Sequence, residues 1–287
     1  AQAGLATASH DTLNVTAMLN DRKAFVDQRL QMKIFSDTAK WRDFPPIIYA
    51  GYGGPWVEDA YQTHWLDTEV SQGSMRLYLP VHWTACHLHC SDDEKTALRQ
   101  YLRNLDTSKK YYTVLTLAQG FAHFALEIQV PADLDLLIFS GGGCTKGTKT
   151  TNVVIPLVKD VPAMSNIAGF ELRDVSFIGR LDTHIVRQEL SDMFNHTWAF
   201  IEKADNWAQI MQASTFSLCP RGWGPTSYRL YEAIHLESIP IYVWDEELLL
   251  PYTQEVPWSD MAIIIHRSDM RDLPDRVRDF DVEKGKK

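Results

Sequence analysis

Short apolar strands alternate with helices along the second half of the sequence, and this alternation restricts the possible folds more than any other feature. Hydrophobic periodicity predicts strands there at residues 175–178, 197–201, 216–219, 239–244 and 261–265. Helices are predicted between them, at residues 183–194, 207–213 and 227–236. Repeated βα units of this kind build a parallel sheet with helices on both faces. The second half is therefore predicted to be a doubly wound α/β domain.

The first half shows the same alternation less regularly. Helices are predicted at residues 57–69 and 93–104, and Ser91 is expected to cap the second helix with Glu94 at the capping-box position. Strands are predicted at residues 47–49, 75–81, 111–117 and 134–139. Strands that alternate with helices indicate a parallel sheet here too.

We therefore predict two Rossmann-like domains whose parallel sheets face a cleft at the carboxyl ends of their strands. The first is predicted at residues 1–150, with a helical lead-in at 1–44, and the second at 151–270. A loop rich in Gly, Lys and Thr is expected at 140–151, near the boundary. Residues 271–287 are expected to form a solvated terminal segment.

The bulk composition excludes some classes of protein. Hydrophobic residues make up 45% and charged residues 23% of the 287 residues, the balance of a globular protein. The formal net charge of -9 argues against a nucleic-acid partner, because that binding depends on a basic face. No run approaches the roughly 18 apolar residues needed to span a bilayer. The opening residues lack a starting Met and the features of a signal peptide, so we expect a processed or trimmed chain.

The four cysteines do not indicate a metal centre. Cys86 and Cys90 flank two histidines, but no second cysteine pair completes a zinc site. Cys144 and Cys219 stand far from them in the sequence. Free thiols, or one disulfide in an oxidising compartment, are the expected states, and no metal ligands are predicted.

One segment, residues 214–234, carries the clearest chemistry. A strand runs out to Cys219, a loop with Arg221 and Gly222 follows, and Ser227 opens a helix. Unpaired N–H groups at a helix N-terminus, with nearby glycines, form an anion site. Arg229 and Glu232 share one face of that helix, and Leu230, Ala233 and Ile234 are expected to face the core. The alternative is an ordinary helix with an Arg229–Glu232 surface pair.

Several motifs follow one another in an order known from one family. Residues 214–222 read S-x-F-x-L-C-P-R-G, and residues 227–234 read S-x-R-L-x-E-A-I. They continue into Ile239-Pro240-Ile241 and Asp245. Residues 177–187 contain Phe177-x-Gly179-Arg180 with His184 and Arg187, and Leu250-Pro251-Tyr252 precedes Trp258. In the first half, the match is confined to patches around Glu58 and residues 79–83. Together these motifs resemble the exostosin family, glycosyltransferase family 47.

The resemblance implies a GT-B fold and an inverting transfer from a nucleoside-diphosphate sugar, usually UDP-linked. By position, Arg180, Arg221, Ser227 and Arg229 would hold the diphosphate, with Gly222 letting it approach the backbone. Glu232 would hold the ribose, and Asp245 or Glu246 would touch the sugar. No cofactor is expected, because arginines and a helix end could stabilise the leaving charge without a metal.

Inverting transfer also needs a base that takes a proton from the acceptor hydroxyl. Residues 119–124 resemble a family segment that usually has Asp before its His, but Ala122 precedes His123 here. The candidates are Glu58, Asp59 and His82, nearly equal in rank, followed by His123. A carboxylate that caps a helix or a histidine buried in the core would explain each of them without catalysis.

The expected partners are a UDP-sugar donor and a glycan acceptor. Xylose is the first expected donor sugar, since small exostosin-like enzymes of algal or viral type include xylosyltransferases. Galactose, arabinose and glucuronic acid stay open. The alternatives are a catalytically silent sugar-nucleotide-binding subunit and a phosphate-binding module unrelated to sugars. A complete chain would be cytoplasmic, whereas loss of an N-terminal anchor would indicate the Golgi lumen, and only such an anchor would contact a membrane.

Overall fold

Two parallel β-sheets organise the chain. The computed structural model describes residues 28–44, 54–68, 76–117, 120, 130–143, 151–160 and 162–285. One sheet has four strands and the other has five, and every strand pair in both sheets is parallel. This is the α/β class predicted from the sequence, and it agrees with a GT-B-like fold.

The first sheet contains its strands in sequence order, β1-β2-β3-β4. They are β1 (Leu77–Tyr78), β2 (Lys110–Leu115), β3 (Asp135–Ser140) and β4 (Thr151–Val154). The helices around it are α1 (Gln28–Asp37), α2 (Val57–Thr68), α3 (Trp83–His89) and α4 (Asp92–Arg103). The strands β2 and β3 are buried almost throughout, as expected for a sheet covered on both faces.

The second sheet has the strand order β6-β5-β7-β8-β9. Its strands are β5 (Arg173–Ile178), β6 (Phe200–Glu202), β7 (Ser214–Pro220), β8 (Ile239–Trp244) and β9 (Ile263–His266). The helices are α5 (Ile185–Phe194), α6 (Trp207–Gln212), α7 (Tyr228–His235), α8 (Trp258–Met261), α9 (Leu273–Arg278) and α10 (Val282–Gly285). Short 3-10 helices occur at Ala39–Trp41 and Arg267–Asp272.

Local sequence signals account for where several helices begin. Helix α4 starts after Ser91, whose hydroxyl accepts from the Glu94 amide while the Glu94 carboxylate accepts from the Ser91 amide. This capping box confirms the prediction made at these two residues. Helix α7 begins after Ser227, which caps it by accepting from the Arg229 amide at 3.3 Å. Helix α7 is thereby fixed at the residue that opens the candidate anion site.

The apolar face of α7 attaches it to the second sheet. Leu230 and Ala233 are buried there, as predicted. Burial of a leucine side chain contributes about 1.5–3 kcal/mol. The prediction for Ile234 is wrong, because its side chain is 37% exposed. A helix of eight residues has room for only a narrow buried stripe, and Ile234 falls outside that stripe.

Some boundaries differ from the sequence predictions. Strand β1 covers two residues, shorter than the predicted 75–81, and β4 was not predicted. Because β4 pairs with β3, residues 151–154 belong to the first sheet. The terminal segment is not wholly solvated, since Leu273 is fully buried and Phe280 packs against the core of the second domain. The predicted strand at 47–49 lies outside the described residues.

Cys86 and Cys90 form a disulfide across the last turn of α3. This is one of the two states expected from the sequence. Cys219 is a buried free thiol at the end of β7, and burial raises its pKa well above the usual range. The disulfide therefore accounts for the Cys-His-Leu-His-Cys segment without a metal ligand role for its sulfurs.

The linker between the sheets, residues 155–172, contacts both domains. The Ser165 amide donates to Oε1 of Gln212 at 3.1 Å, and Gln212 Nε2 donates to the Ser165 carbonyl at 3.0 Å. A second contact joins the domains directly: the buried hydroxyl of Thr226 donates to the Gly141 carbonyl at 2.9 Å. Hydrogen bonds thus join the carboxyl end of β3 to the loop before α7.

Candidate functional site

The strand order of the second sheet creates a crevice at one defined place. Strand β5 is flanked by β6 on one side and β7 on the other, so the chain leaves β5 and β7 in opposite directions. Ligands of open parallel sheets bind outside the carboxyl ends of the strands at such a switch point. The residues that follow these two strands are Gly179 and Arg180 after β5, and Arg221 and Gly222 after β7.

A cavity of about 400 Å³ opens at this switch point, within the usual size range of small-molecule sites. Both domains and the linker contribute to its wall. Its lining contains four cationic side chains and one carboxylate. The lining residues are Thr116, Gly142, Leu157, Lys159, Gly179, Arg180, Thr183, Arg187, Trp207, Gly222, Trp223, Gly224, Thr226, Ser227, Tyr228, Arg229 and Glu232. The excess of positive charge makes the cavity suited to a polyanionic ligand.

Glu232 is the carboxylate of the cavity, and its side chain is only 1% exposed. Arg229 donates to one of its oxygens and Lys159 donates to the other. The Arg229 guanidinium lies over the Trp207 ring, 4.7 Å from the centroid, and the Lys159 ammonium lies 5.1 Å from the same centroid. A buried carboxylate is stable only with such partners, so these four side chains form one unit.

Arg187, on α5, holds the loop after β7. Its guanidinium donates to the carbonyls of Arg221 at 2.8 Å and Arg180 at 2.9 Å. A longer contact of 3.4 Å reaches the Pro220 carbonyl. Burial, together with the nearby charge of Arg229, lowers the pKa of Arg187 to about 10. Arg187 therefore keeps its charge at neutral pH and ties together the segments that follow both switch-point strands.

Arg180, after β5, and Ser227, before α7, both line the cavity. Arg180 pairs with Asp182 through two hydrogen bonds of 2.8 and 2.9 Å, and both side chains are largely exposed. Ser227 caps α7, and Ser227, Tyr228 and Arg229 at the start of this helix line the cavity. Gly222 lies close to Arg187, and a Cβ at this position would be 3.1 Å from Arg187 Nη2. Gly222 thus keeps the backbone accessible from the cavity.

Arg221, Asp245 and Glu246 form a second cluster that is not part of the lining of this cavity, and their contact with the donor stays a prediction. Arg221 is buried and donates to Asp245 Oδ1 at 2.7 Å, with Glu246 Oε2 at 3.5 Å. His184 Nε2 is 3.6 Å from Asp245 Oδ2. The Arg221 side chain thus turns toward the end of β8, where Asp245 follows the strand.

Electrostatics within this second cluster are consistent with a fixed ion pair. Burial opposes ionisation of Asp245, but hydrogen bonds from Arg221 and the Glu246 amide hold the pKa of Asp245 below its ordinary value. Burial and the charge of Arg221 lower the pKa of His184. At neutral pH His184 is therefore neutral, and the Arg221–Asp245 pair fixes the loop that carries Gly222.

The first domain contributes neutral groups to the cavity. Thr116 lies in the wall, and its hydroxyl donates to Glu58 Oε2 at 2.5 Å. Glu58 is buried, and Oε1 accepts from the Thr84 hydroxyl at 2.7 Å. Both oxygens of Glu58 are thus engaged, so this candidate base joins α2, α3 and the end of β2. That is the arrangement of a structural carboxylate.

Asp59 and His82 form a separate pair beside Glu58. His82 Nδ1 is 3.4 Å from Asp59 Oδ1, and His82 Nε2 is 3.0 Å from Gln62 Oε1. Burial lowers the pKa of His82, although Asp59 and Glu58 oppose this shift. A neutral histidine can accept a proton. Neither residue lines the cavity as described, and His123 lies outside the described residues.

Sequence reasoning missed several groups that the fold brings to the cavity. Lys159 comes from the linker, where no motif marks it. Trp207 was predicted only as the start of a helix, and Trp223, 50% exposed at the cavity rim, was passed over between two glycines. Two sequence signals could have indicated such residues. They are the glycines on either side of Trp223 and the position of Arg187 one turn after His184.

Among the residues that the structure describes, no group of three or more His, Cys, Asp or Glu side chains could hold a metal ion. No helix within the same ranges is long and apolar enough to cross a membrane.

The two parallel sheets and the cationic cleft at a switch point define a GT-B-like α/β protein with a site for an anionic ligand. The model of the Exostosin GT47 domain matches residues 138–280, which include the whole second sheet and most of the cavity. The chain therefore contains an exostosin GT47 domain, as its motifs predicted.

Curated plant proteins are similar to this chain over a shorter segment. A probable glucuronosyltransferase, GUT1, of Oryza sativa subsp. japonica is 38% identical over 63 residues, which are 22% of this chain and 15% of that protein. A probable beta-1,4-xylosyltransferase, IRX10L, of Arabidopsis thaliana is 35% identical over 69 residues, 24% of this chain and 16% of that protein. The similarity thus spans only a small part of these relatives.

Proposed function

We propose that this chain is an inverting glycosyltransferase that transfers a sugar from a UDP-sugar to a hydroxyl group of a glycan acceptor. One observation carries the proposal: four cationic side chains and the buried Glu232 line one cavity at the switch point, beside the N-terminus of α7. The exostosin GT47 domain and the names of the plant relatives support transfer of a sugar.

The cavity residues suit a nucleoside diphosphate. In the proposed complex, the guanidinium groups of Arg180 and Arg229 and the amides at the start of α7 bind the diphosphate. Arg187 adds a third, fixed positive charge. As the bond to the sugar breaks, negative charge grows on the diphosphate, and these groups stabilise it. We expect transfer to proceed without an added metal or cofactor.

Glu232 is proposed to accept hydrogen bonds from the ribose hydroxyls. Its ion pair with Arg229 fixes the direction of the carboxylate. The N-terminus of α7 and Glu232 are one turn apart on the same helix, so the ribose and the diphosphate would lie side by side along it.

We assign the proton-accepting role to the Asp59–His82 pair. The lowered pKa leaves His82 neutral at pH 7, and Asp59 beside Nδ1 would stabilise the imidazolium that forms. Glu58 serves instead as the carboxylate that fixes Thr116 in the wall. Replacement of His82 by Gln should lower kcat strongly and leave the UDP dissociation constant unchanged.

The donor sugar is proposed to be xylose first, with glucuronic acid, galactose and arabinose as competitors. The names of the relatives divide between xylosyl and glucuronosyl transfer. Glucuronic acid carries a carboxylate, so it would make further use of the positive cavity, whereas xylose would not. A direct comparison of the two UDP-sugars is therefore the informative one.

The testing experiment is a thermal-shift panel of UDP, GDP and the UDP-sugars, run with EDTA and again with Mn²⁺. A ligand at 100 times its dissociation constant stabilises the folded state by about 2.7 kcal/mol. We expect a shift with UDP and a UDP-sugar that persists in EDTA. Absence of a shift with every nucleotide would refute the proposal.

Activity separates the enzyme from a silent binding subunit. Each UDP-sugar that binds is incubated with the protein, and release of UDP is followed with and without xylan-type oligosaccharide acceptors. Release that is lost in Arg229→Ala supports the transferase. Tight binding with no release under any of these conditions would favour a nucleotide-sugar-binding partner instead.

A further inference from the structure

The linker brings a cation into the cavity from outside the second sheet. Val158 packs against an apolar cluster of the first domain that includes Tyr112 and Leu137. The next residue, Lys159, extends to the second domain, where its ammonium pairs with Glu232. Lys159 also lines the cavity wall. Two adjacent linker residues therefore contact different domains at the edge of the candidate donor site.

The two cations on Glu232 occupy different oxygens. Arg229 donates to Oε2, and Lys159 donates to Oε1. The carboxylate is 1% exposed, and each of its two oxygens already accepts from one of these cations. A ribose hydroxyl that donates to Glu232 must therefore share an oxygen with one of the cations or displace it.

Lys159 is the partner better able to move. Arg229 lies three residues before Glu232 on the same helix, and its guanidinium carbon is 4.7 Å from the centroid of the Trp207 ring. Lysine carries a compact charge on a flexible four-carbon stem. Its ammonium can turn to a new anion without breaking a two-pronged hydrogen-bond arrangement of the kind that arginine makes. The Trp207 ring lies within reach of both cations, so the ammonium can keep a cation–π contact as it turns.

We propose that Lys159 is a binding residue for the donor diphosphate, supplied by the interdomain linker. When a ribose hydroxyl takes up Glu232 Oε1, the ammonium of Lys159 exchanges this carboxylate for the diphosphate. This inference rests on the proposed function. It adds that the linker, which packs on the first domain, contacts the diphosphate part of the donor.

The proposal predicts a difference between ligands with and without phosphate. In the exchange, Lys159 gives up one anion and gains another only when the ligand carries a diphosphate. Uridine supplies the hydroxyl but no phosphate, so it displaces the ammonium without compensation. The diphosphate of UDP fully replaces the carboxylate contact that Lys159 loses, and the affinity for UMP should lie between those for uridine and UDP. The ratio of uridine to UDP dissociation constants therefore reports the role of Lys159.

The test is titration calorimetry of the full chain with uridine, UMP and UDP. Lys159→Met keeps the length of the side chain and removes its charge, and Lys159→Arg restores a charge. We expect Lys159→Met to weaken UDP about tenfold, the scale of one charge-assisted hydrogen bond, and to leave uridine unchanged or tighter. Lys159→Arg should recover most of the UDP affinity.

Lys203→Met is the matched control, since it removes an exposed lysine of the same domain that does not line the cavity. A purely structural Lys159 would lower the melting temperature and weaken all three ligands equally. Lys159→Gln provides a second neutral variant in case the Met variant folds poorly. An unchanged uridine-to-UDP ratio in the neutral variants overturns this inference alone, whereas wild-type protein that binds no UDP overturns the proposed function with it.

Discussion

The two domains meet the cleft with different chemistry. The second domain supplies Arg180, Arg187 and Arg229 around one carboxylate, whereas the first supplies a hydroxyl, Thr116, and the backbone at Gly142. The only buried carboxylate of the first domain, within the ranges that the structure describes, is Glu58, and its partners are hydroxyl and amide groups instead of cations.

This difference follows from topology. In the second sheet the chain leaves β5 toward one edge of the sheet and β7 toward the other. Helices α5 and α7 therefore both begin at the crevice between these strands. The strands of the first sheet, as far as the structure describes them, run in sequence order without such a reversal. We therefore expect anion binding in the second domain only, and close backbone packing in the first. The following predictions test that division.

The largest effect is expected from Gly142→Ala. A Cβ at Gly142 would lie 1.7 Å from the Leu117 carbonyl oxygen and 2.5 Å from that of Thr116. Backbone atoms cannot turn aside, so we expect a loss of about 3 kcal/mol in unfolding free energy. Urea unfolding measures it. The matched variant Gly222→Ala, which meets only the end of an arginine side chain, should lose less than about 1 kcal/mol. Equal losses of unfolding free energy in the two variants would contradict this difference between the domains.

The next effect is expected from Arg229→Ala. It removes one of the two cations on a buried carboxylate and leaves Lys159 alone with Glu232. Truncating one partner of a buried charge pair costs about 2–5 kcal/mol, and the remaining lysine places the expected loss near the lower figure. The UDP dissociation constant should also rise at least about tenfold.

Arg278→Ala is the control for this prediction. Arg278 and Asp275 also form an i,i+3 pair, but their side chains are 68% and 69% exposed. Solvent screens such an exposed pair, so it contributes little to stability. Chemical unfolding and UDP titration of both variants are the measurements. A similar loss in the two variants would mean that the burial of Glu232 has no energetic consequence.

A smaller effect, confined to binding, is expected from Gly222→Ala. The added methyl would crowd Arg187 Nη2 at 3.1 Å and cover the backbone that a phosphate approaches. We expect UDP to bind about tenfold more weakly and uridine to bind as in the wild type. Calorimetric titration with both ligands measures this. Equal weakening of uridine would place the phosphate elsewhere.

The sequence predicted the second domain more closely than the first. Residues 239–244 form β8 as predicted, because the strand is apolar throughout and bounded on both sides. Five of the eight predicted donor residues line one cavity: Arg180, Gly222, Ser227, Arg229 and Glu232. Motif spacing located them because one strand–loop–helix unit carries most of them.

The groups that escaped prediction depend on contacts between distant parts of the chain. Lys159 meets Glu232 across 73 residues, through a linker whose path no local pattern determines. The direction of the Arg221 side chain depends on Asp245 at the end of the neighbouring strand, not on its own motif. Local periodicity determines elements, whereas side-chain partners across the cleft require the packed structure.

The smallest effect is a pH dependence carried by one histidine in each domain. Burial lowers the folded-state pKa of His82 and of His184, so the folded protein binds fewer protons than the unfolded chain as pH falls below about 6.5. Their contribution to stability is therefore present above that pH and lost below it. We expect His82→Gln to flatten the fall in unfolding free energy between pH 8 and pH 5, and His184→Gln to flatten it less, because His184 is more exposed. Urea unfolding at several pH values, referenced to pH 8, measures both slopes. A wild-type slope in His82→Gln would mean that Asp59 keeps this histidine charged, and it could then not serve as the base.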